Sequence, residues 1–425
     1  MFCYQCEQTY RGQGCTDLGV CGKDESTATL QDLLVYAAKG IAMYAHRARQ
    51  AGAADAAIDD FVIDCLFATG TNVNFDPIRL ASLIDRAAVV REQAKQLYER
   101  ACADKGLTAA PLSGAAAWKP AGTIEGLVAQ GKQHLIPEQL IAAGPETGNL
   151  QELILYGLKG LGAYAAHAKR LGASDAGVNA TILEILDFLT MPSPSTDELL
   201  GMALRTGELN YRVMQMLDKA NTGSYGNPTP TGVRLHPRKG KAIVVSGHDL
   251  ADLYELLKQT EGTGIQIYTH GEMLPAHGYP KLKAFKHLAG NFGGGWQDQQ
   301  KEFPDFPGPI LMTSNCIQDP KDYKDRVYTT GPVAWPGVRH IANHDYSAVI
   351  EAALRAPGYA EDGPDDEILT GFGHNAVLSV AGTVVDAVKA GAIRHFFLIG
   401  GCDGARPGRN YTPNSRRPCP TIASS

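Results

Sequence analysis

Two different hydrophobic patterns divide the chain. From about residue 30 to about residue 217, apolar residues recur at the spacing of one face of an α-helix. After the Gly- and Pro-rich stretch 221–232, short runs of β-branched and aromatic residues alternate with helical segments. The first pattern predicts helical bundles, and the second predicts an α/β fold with a parallel sheet.

The helical half contains an internal repeat. The segment LQDLLVYAAKGIAMYAHRARQAGAAD begins at Leu30, and its counterpart LQELILYGLKGLGAYAAHAKRLGASD begins 120 residues later, at Leu150, with no gap between the two. The matching regions are 30–67 and 150–189. They predict two related helical units, each a bundle of about three helices.

Several side chains of the helical half have structural interpretations. Ser195 and Asp197 lie at the start of a helical pattern, and either is expected to cap it. His46 and His167 lie at the basic ends of the repeated helices, where we expect a solvated or capping role. Cys65 and Cys102 lie within apolar helical patterns and are therefore expected to be buried thiols rather than ligands.

Four apolar runs in the second half each lead into a side chain that can bind a metal. In an open α/β sheet, ligands bind beyond the carboxyl ends of the strands, so these four side chains are expected to converge. One imidazole, one carboxylate and two thiolates suit iron that carries both sulfur and oxygen better than a plain zinc site. The runs are AIVVSG before His248, IQIYTHG before Glu272, ILMTSN before Cys316 and FFLIGG before Cys402.

Each of these side chains also has a simpler interpretation. His248, like Ser246 and Asp249, could simply cap the helix that follows. Cys316 could be an inert buried thiol. Glu272 lies in a polar loop rich in ionisable groups, and Cys402 is flanked by glycines that allow a bulky group to approach, so both favour a site.

The N-terminus carries four cysteines in the pattern C-x2-C-x8-C-x5-C: Cys3, Cys6, Cys15 and Cys21. Four thiolates this close together would repel one another unless a metal neutralised them. Zinc ribbons usually contain two C-x2-C pairs, and this segment has one. The spacing therefore favours an iron–sulfur cluster over a zinc knuckle, with a disulfide framework as a third alternative.

Composition narrows the functional class. The chain has 425 residues, of which 44% are hydrophobic and 20% charged, and we expect two or three domains. Its net charge of −6 argues against binding to nucleic acid. It shows neither a membrane-length apolar run nor a signal-peptide pattern, so a cytoplasmic location is expected. In that reducing compartment, the nine cysteines are expected to be ligands or buried thiols.

These motifs together resemble the hybrid cluster proteins, also called the prismane family. The resemblance covers nearly all of residues 1–411. It implies a multidomain α and α/β fold, with a helical domain of two three-helix bundles followed by Rossmann-like α/β domains. The segments that show the resemblance are MFCYQCEQT, CGKDESTATLQDLL, VVSGHDL, YTHGEMLPAHGYPKL, TSNCIQDP and GGCDGARPGRNY.

The predicted domain organisation follows from the resemblance. Members of the family continue well beyond the length of this chain, and that further part supplies more cluster ligands. We therefore expect the last domain to be truncated, and a frameshift in the gene is our hypothesis for the cause. Cys419 is not expected to replace a missing ligand. The predicted units are a cluster loop at 1–28, a helical domain at 29–225, an α/β domain at 233–365 and an incomplete one at 366–425.

The resemblance also implies two cofactors and their ligands. A [4Fe–4S] cluster would be bound by the four N-terminal cysteines, Cys3, Cys6, Cys15 and Cys21. A hybrid [4Fe–2O–2S] cluster would be bound by His248, Glu272, Cys316 and Cys402, with Cys402 as a persulfide. Within this set, His248, Glu272 and Cys402 are the expected catalytic residues.

The implied activity is the reduction of hydroxylamine to ammonia and water, in nitrogen metabolism or under nitrosative stress. An electron-donor protein would be a partner, and His270 and His277 are candidates for proton delivery. Four alternatives stay open: reduction of nitric oxide at the same cluster, transfer of nitrosyl groups to proteins, a carbon monoxide dehydrogenase-like reaction, and an inactive product that holds only the N-terminal metal.

Overall fold

A computed structural model describes residues 1–6 and 9–396 of the chain. The predicted ligand Cys402 and the nearby Cys419 lie outside the described residues. Helices occupy the region from residue 25 to residue 225, as the apolar periodicity predicts. Their bounds are α1 Glu25–Gln50, α2 Ala56–Ala68, α3 Pro77–Asp104, α4 Ile124–Gly131, α5 Ile136–Ala143, α6 Pro145–Arg170, α7 Ala176–Phe188 and α8 Thr196–Tyr225.

The internal repeat is visible in the helices themselves. The bounds of α6 and α7 follow those of α1 and α2 at a distance of 120 residues. Equivalent caps begin the second helix of each copy: Asp55 accepts a hydrogen bond from the backbone N–H of Ala57, and Asp175 accepts one from that of Gly177. Both copies contribute apolar side chains to one continuous hydrophobic core.

The structure tests the interpretations of single residues in this half. Ser195 is the N-cap of α8 and forms a capping box with Glu198, as predicted, whereas Asp197 is not the cap and lies in the first turn of the helix. Cys65 and Cys102 are buried, as predicted. The prediction of a solvated or capping His167 is wrong, because its ring is buried and its Nδ1 lies 3.2 Å from the Asp249 carboxylate of the α/β half.

A six-stranded parallel sheet forms the centre of the second half, with the order β4-β3-β2-β5-β6-β7. Hydrophobic clusters cover both of its faces, and every residue of β2 is buried. The strands are β2 Ala242–Ser246, β3 Gln266–Thr269, β4 Leu288–Asn291, β5 Ile310–Met312, β6 Val327–Thr330 and β7 Arg339–Ile341. The helices between and after them are α9 Leu250–Thr260, α10 Pro280–Lys283, α11 Gln299–Glu302 and α12 Ser347–Arg355.

This strand order creates a switch point between β2 and β5. The chain first adds β3 and β4 on one side of β2, and it then adds β5, β6 and β7 on the other side. The connections at the carboxyl ends of β2 and β5 therefore run in opposite directions and leave a crevice, which is where open α/β sheets bind ligands.

A separate two-stranded antiparallel sheet pairs β1 Thr231–Arg234 with β8 Glu367–Thr370. Two helices follow it, α13 His374–Ser379 and α14 Ala381–Lys389. Among the described residues, no helix combines the length and the apolar character needed to cross a membrane. Long helices followed by a parallel sheet confirm the predicted α and α/β class.

Candidate metal centre

Three of the four residues predicted to bind the second cluster lie together at the switch point. His248 follows β2, Glu272 follows β3 and Cys316 follows β5. One ligand atom from each of these side chains lies within 4.8 Å of those of the other two. An imidazole nitrogen, a carboxylate oxygen and a thiol sulfur are thus placed to contact one small inorganic group.

Asp249, and not His248, caps the helix α9. Its carboxylate accepts hydrogen bonds from the backbone N–H groups of Ala251, at 2.9 Å, and Asp252, at 3.1 Å. The helix α9 is therefore capped without the imidazole. The ring of His248 is directed instead towards the next strand end, where its Nε2 contacts the carboxylate of Glu272.

Ser314 fixes the orientation of His248. Its Oγ accepts a hydrogen bond of 2.8 Å from the backbone N–H of His248 and lies 3.1 Å from Nδ1 of the same residue. Since Nδ1 is engaged in this way, Nε2 is the nitrogen available to a metal. A partner on the other nitrogen is the arrangement that orients metal-bound histidines in general.

The strand ends approach each other closely at Gly247. Its φ of +108° is in the left-handed region, and a Cβ added there would lie 2.5 Å from Oγ1 of Thr313 and 2.7 Å from the backbone nitrogen of Ser314. Glycine is therefore the residue that allows the end of β2 to lie against the end of β5.

Cys316 also has a backbone conformation that is rare for its residue type, with φ at +82°. Its carbonyl oxygen accepts a hydrogen bond of 2.5 Å from Nε2 of Gln299, which helps to hold that conformation. Strained backbone of this kind costs about 1–3 kcal/mol and persists where the surroundings enforce it, often at functional sites.

Glu272 is the second residue of a 3₁₀-helical segment, Gly271–Gly278, and its side chain is 59% exposed. The hydrogen bond with His248 lowers the pKa of its carboxyl group, against the opposing effect of partial burial. The group is therefore ionised at neutral pH, which is the form that binds a metal.

The two histidines near Glu272 are buried. Nδ1 of His270 lies 3.0 Å from the hydroxyl of Ser246. Nε2 of His277 lies 2.9 Å from the hydroxyl of Thr269, and burial lowers the pKa of His277 to about 4. A neutral ring at pH 7 argues against the predicted role of His277 as a proton donor.

The N-terminal cysteines lie in a short loop that packs on the α/β half. The backbone N–H of Cys15 donates to the carbonyl of Cys3 at 2.8 Å, and that of Asp319 donates to the carbonyl of Cys21 at 3.0 Å. Within the described part of the chain, no disulfide joins these cysteines or Cys6 to one another. Because Asp319 lies three residues after Cys316, the loop contacts the same segment of chain that supplies a candidate ligand at the switch point.

Burial is the main cause that raises the pKa of the Cys21 thiol. The nearby Cys3 and Cys15 raise it further, and Lys23 opposes the shift. A metal would favour the thiolate form of such a cysteine, so affinity for the metal would fall in acid. The surroundings of Cys21 thus disfavour a thiolate that has no metal and are compatible with a thiolate that is bound to a metal.

One family model matches almost the whole chain. The model of the Prismane/CO dehydrogenase family matches residues 1–414. The chain belongs to this family. Its members are iron–sulfur proteins, which agrees with the cysteine pattern at the N-terminus and with the mixed donor set at the switch point.

Curated relatives extend the comparison. The chain is 54% identical to a hydroxylamine reductase of Acidithiobacillus ferrooxidans and 53% identical to that of Rhodospirillum rubrum. A hydroxylamine reductase of Geobacter metallireducens is 52% identical. Each match covers 97% of this chain and 75% of the relative.

Solved structures are more distant. A nickel-free carbon monoxide dehydrogenase from Thermococcus sp. AM4 is 16% identical, with a TM-score of 0.39, over 92% of this chain and 61% of that one. Carbon Monoxide Dehydrogenase IV from Carboxydothermus hydrogenoformans is 15% identical, with a TM-score of 0.41, over 92% of this chain and 62% of that one.

Proposed function

We propose that this protein is an iron–sulfur oxidoreductase of the cytoplasm that reduces hydroxylamine to ammonia and water. The observation that supports this most is the mutual distance of at most 4.8 Å between the ligand atoms of His248, Glu272 and Cys316. The choice of hydroxylamine as substrate is based on relatives at 52–54% identity that are hydroxylamine reductases. An electron-donor protein would be the second partner.

Two groups of side chains would hold the two cofactors. Cys3, Cys6, Cys15 and Cys21 would bind a [4Fe–4S] cluster, and His248, Glu272, Cys316 and Cys402 would bind a hybrid [4Fe–2O–2S] cluster. The described donors at the switch point fit the second group, because soft sulfur is combined there with nitrogen and oxygen. When bound, such a cluster supplies electrons at an iron with an exchangeable position.

The protein side chains have distinct tasks in this proposal. His248 is held by Ser314 and would fix one side of the centre. Glu272 is more exposed, so its carboxylate has room to change its binding mode and admit hydroxylamine. The N-terminal loop touches the segment after Cys316, which makes it a reasonable entry for electrons from the donor.

The test begins with anaerobic purification and determination of iron, sulfide and zinc. We expect about eight iron atoms per chain if both clusters assemble and about four if only the N-terminal cluster does. Turnover is then measured with a reduced viologen dye as the electron donor. Rates with hydroxylamine are compared with rates with nitric oxide. Faster reduction of nitric oxide would mean that nitric oxide, and not hydroxylamine, is the substrate.

His248→Ala provides the decisive variant. Loss of the partner that orients a metal ligand typically costs about 10–100-fold in affinity or activity, so loss of a ligand should cost at least as much. The control is His46→Gln in the helical half, where the native ring contacts only the side chain of Gln50 among the hydrogen bonds described. An active, iron-replete His248→Ala variant would refute the proposed site.

A further inference from the structure

The internal repeat brings equivalent polar residues of α1 and α6 to one buried place. Three pairs, each 120 residues apart in sequence, line a single cavity of about 20 Å³. That volume is enough for one water molecule. The pairs are Asp32 with Glu152, Tyr36 with Tyr156, and Lys39 with Lys159.

This cluster is unusually polar for the interior of a helical domain. Glu152 and Lys159 are only 7% and 6% exposed. Oδ2 of Asp32 is buried and has no hydrogen-bond partner among the described residues. The hydroxyl of Tyr156 is also buried and makes no hydrogen bond of regular geometry there, although Tyr4 is close enough to influence it. Buried polar atoms are nearly always satisfied, so atoms of this kind around a water-sized cavity indicate that water completes the network.

Asp32 is able to exchange a proton near neutral pH. Burial raises the pKa of its carboxyl group to about 7, and the nearby Lys159 is the strongest opposing influence. Burial also lowers the pKa of Lys39 and of Lys159. The titratable groups that face Asp32 are Glu152, Tyr156 and Lys159 from α6, Tyr36 and Lys39 from α1, Lys23 before α1, Tyr4 from the N-terminal loop, and His134.

The cluster lies between the surface and a cavity that reaches the residue before Cys316. On one side, the half-buried ring of His134 stacks on Tyr36, with the ring centres 3.7 Å apart. On the other side, Tyr156 and Lys159 also line a second cavity of about 230 Å³. Asn315, the residue before Cys316, lines that second cavity too.

We propose that Asp32 and the charged side chains around it form a relay that carries protons from the surface at His134 to the cavity lined by Asn315. The proposal rests on the proposed function, because reduction of hydroxylamine consumes protons. The N–O bond breaks, the electron donor supplies two electrons, and two protons complete ammonia and water. Asp32 and Glu152 would pass protons through Tyr156 and bound water.

The test combines Asp32→Asn with its conservative rescue, Asp32→Glu, which places at position 32 the side chain that the repeat carries at position 152. For Asp32→Asn we expect kcat with hydroxylamine to fall by about a hundredfold, the usual scale for a proton-transfer group. KM, iron content and cluster absorbance should stay at wild-type values. Asp32→Glu should recover most of the rate, and Tyr156→Phe should reduce it by interrupting the link between the cavities.

The pH profile gives a readout that a merely structural role would not move. The wild-type rate should decline as pH rises through about 7, because the relay delivers protons from the protonated carboxyl. Asp32→Asn should lose this titration. Glu25→Gln is the matched control, since Glu25 is an exposed acidic residue of the same helix, and it should keep both the rate and the profile.

Infrared difference spectroscopy provides a readout that does not depend on turnover. A protonated-carboxyl band should disappear as pH is raised through about 7 in the wild type and should be missing in Asp32→Asn. The relay is overturned if the wild type lacks that band. It is also overturned if iron-replete Asp32→Asn keeps the rate and the pH profile of the wild type. If the iron-replete wild type does not reduce hydroxylamine, the proposed function fails, and the infrared titration alone then decides whether Asp32 exchanges a proton.

Discussion

A single hydroxyl group, that of Ser314, joins two strand ends at the candidate metal centre. The candidate ligands His248 and Cys316 could be proposed from sequence, because residue type and position after an apolar run are local features. Ser314 was not predicted as the partner of His248. Its role depends on the approach of β2 to β5, which are more than sixty residues apart, and no local pattern encodes that contact.

The role of Ser314 can be tested by Ser314→Ala. Without the Oγ acceptor, the backbone N–H of His248 loses its partner and the ring is free to turn. We expect iron at this site to bind about 10–100-fold more weakly, as for other groups that orient a metal ligand. The measurement is iron retained per chain after dialysis against a chelator.

Ser347→Ala is the matched control, because Ser347 is exposed at the start of α12 and far along the chain from the ligands. It should retain iron as the wild type does. Equal retention by both variants and the wild type would mean that Ser314 does not orient His248.

At the scale of elements, a buried ionic network ties α6 to α9. Arg170, at the last position of α6, contacts the carboxylate of Asp249 and lies 3.2 Å from that of Asp252. The hydroxyl of Tyr346 donates to Asp252 at 2.8 Å. His167 was misjudged from sequence for the same reason that this network was missed: its partner Asp249 lies 82 residues away, so its helix gave no sign of burial.

Arg170→Met should destabilise the protein strongly. It leaves the side chains of Asp249 and Asp252, which are 2% and 1% exposed, without their main cation. Breaking one partner of a buried ion pair typically costs about 3–5 kcal/mol. The free energy of unfolding, from urea titration, measures the loss.

The comparison is Arg205→Met, which breaks an ion pair with Glu184 whose side chains are 48% and 32% exposed. An exposed pair contributes about 1 kcal/mol or less. If both variants lose the same stability, the network does not tie the two halves together.

At the scale of the whole molecule, the division into helices and sheet could be predicted from sequence, but the strand order could not. Apolar runs indicate that strands exist. The order β4-β3-β2-β5-β6-β7 depends instead on contacts between distant segments, among them α9 and α12, whose apolar side chains share one core cluster with the sheet. The crevice between β2 and β5 therefore becomes visible only in three dimensions, although the residues that line it were recognisable.

Stability of the whole chain should depend on pH through its buried histidines. Burial lowers the pKa of His277 to about 4, whereas an unfolded histidine titrates near its ordinary value of 6.5. The unfolded state therefore binds protons first, and stability that is complete above about pH 6.5 is lost as the pH falls towards 4. For His277 alone, this loss is about 2 kcal/mol at pH 5.

His277→Gln should accordingly lose less stability than the wild type between pH 7 and pH 5, as measured by urea unfolding at each pH. Burial also lowers the pKa of the half-buried His340 to about 4, so adding His340→Gln should flatten the dependence further. A double variant with the wild-type slope would show that other groups control acid unfolding.

The matched bounds of α1 and α6 also show how two copies of one segment have specialised. Arg47 and His167 occupy the same position in the two copies. Arg47 binds Asp187 of the other copy, at 2.7 Å, whereas His167 contacts Asp249 of the α/β half. Exchanging these two residues would leave composition unchanged and yet put each side chain beside the other's carboxylate, so ancestry alone does not make the two halves of the helical region interchangeable.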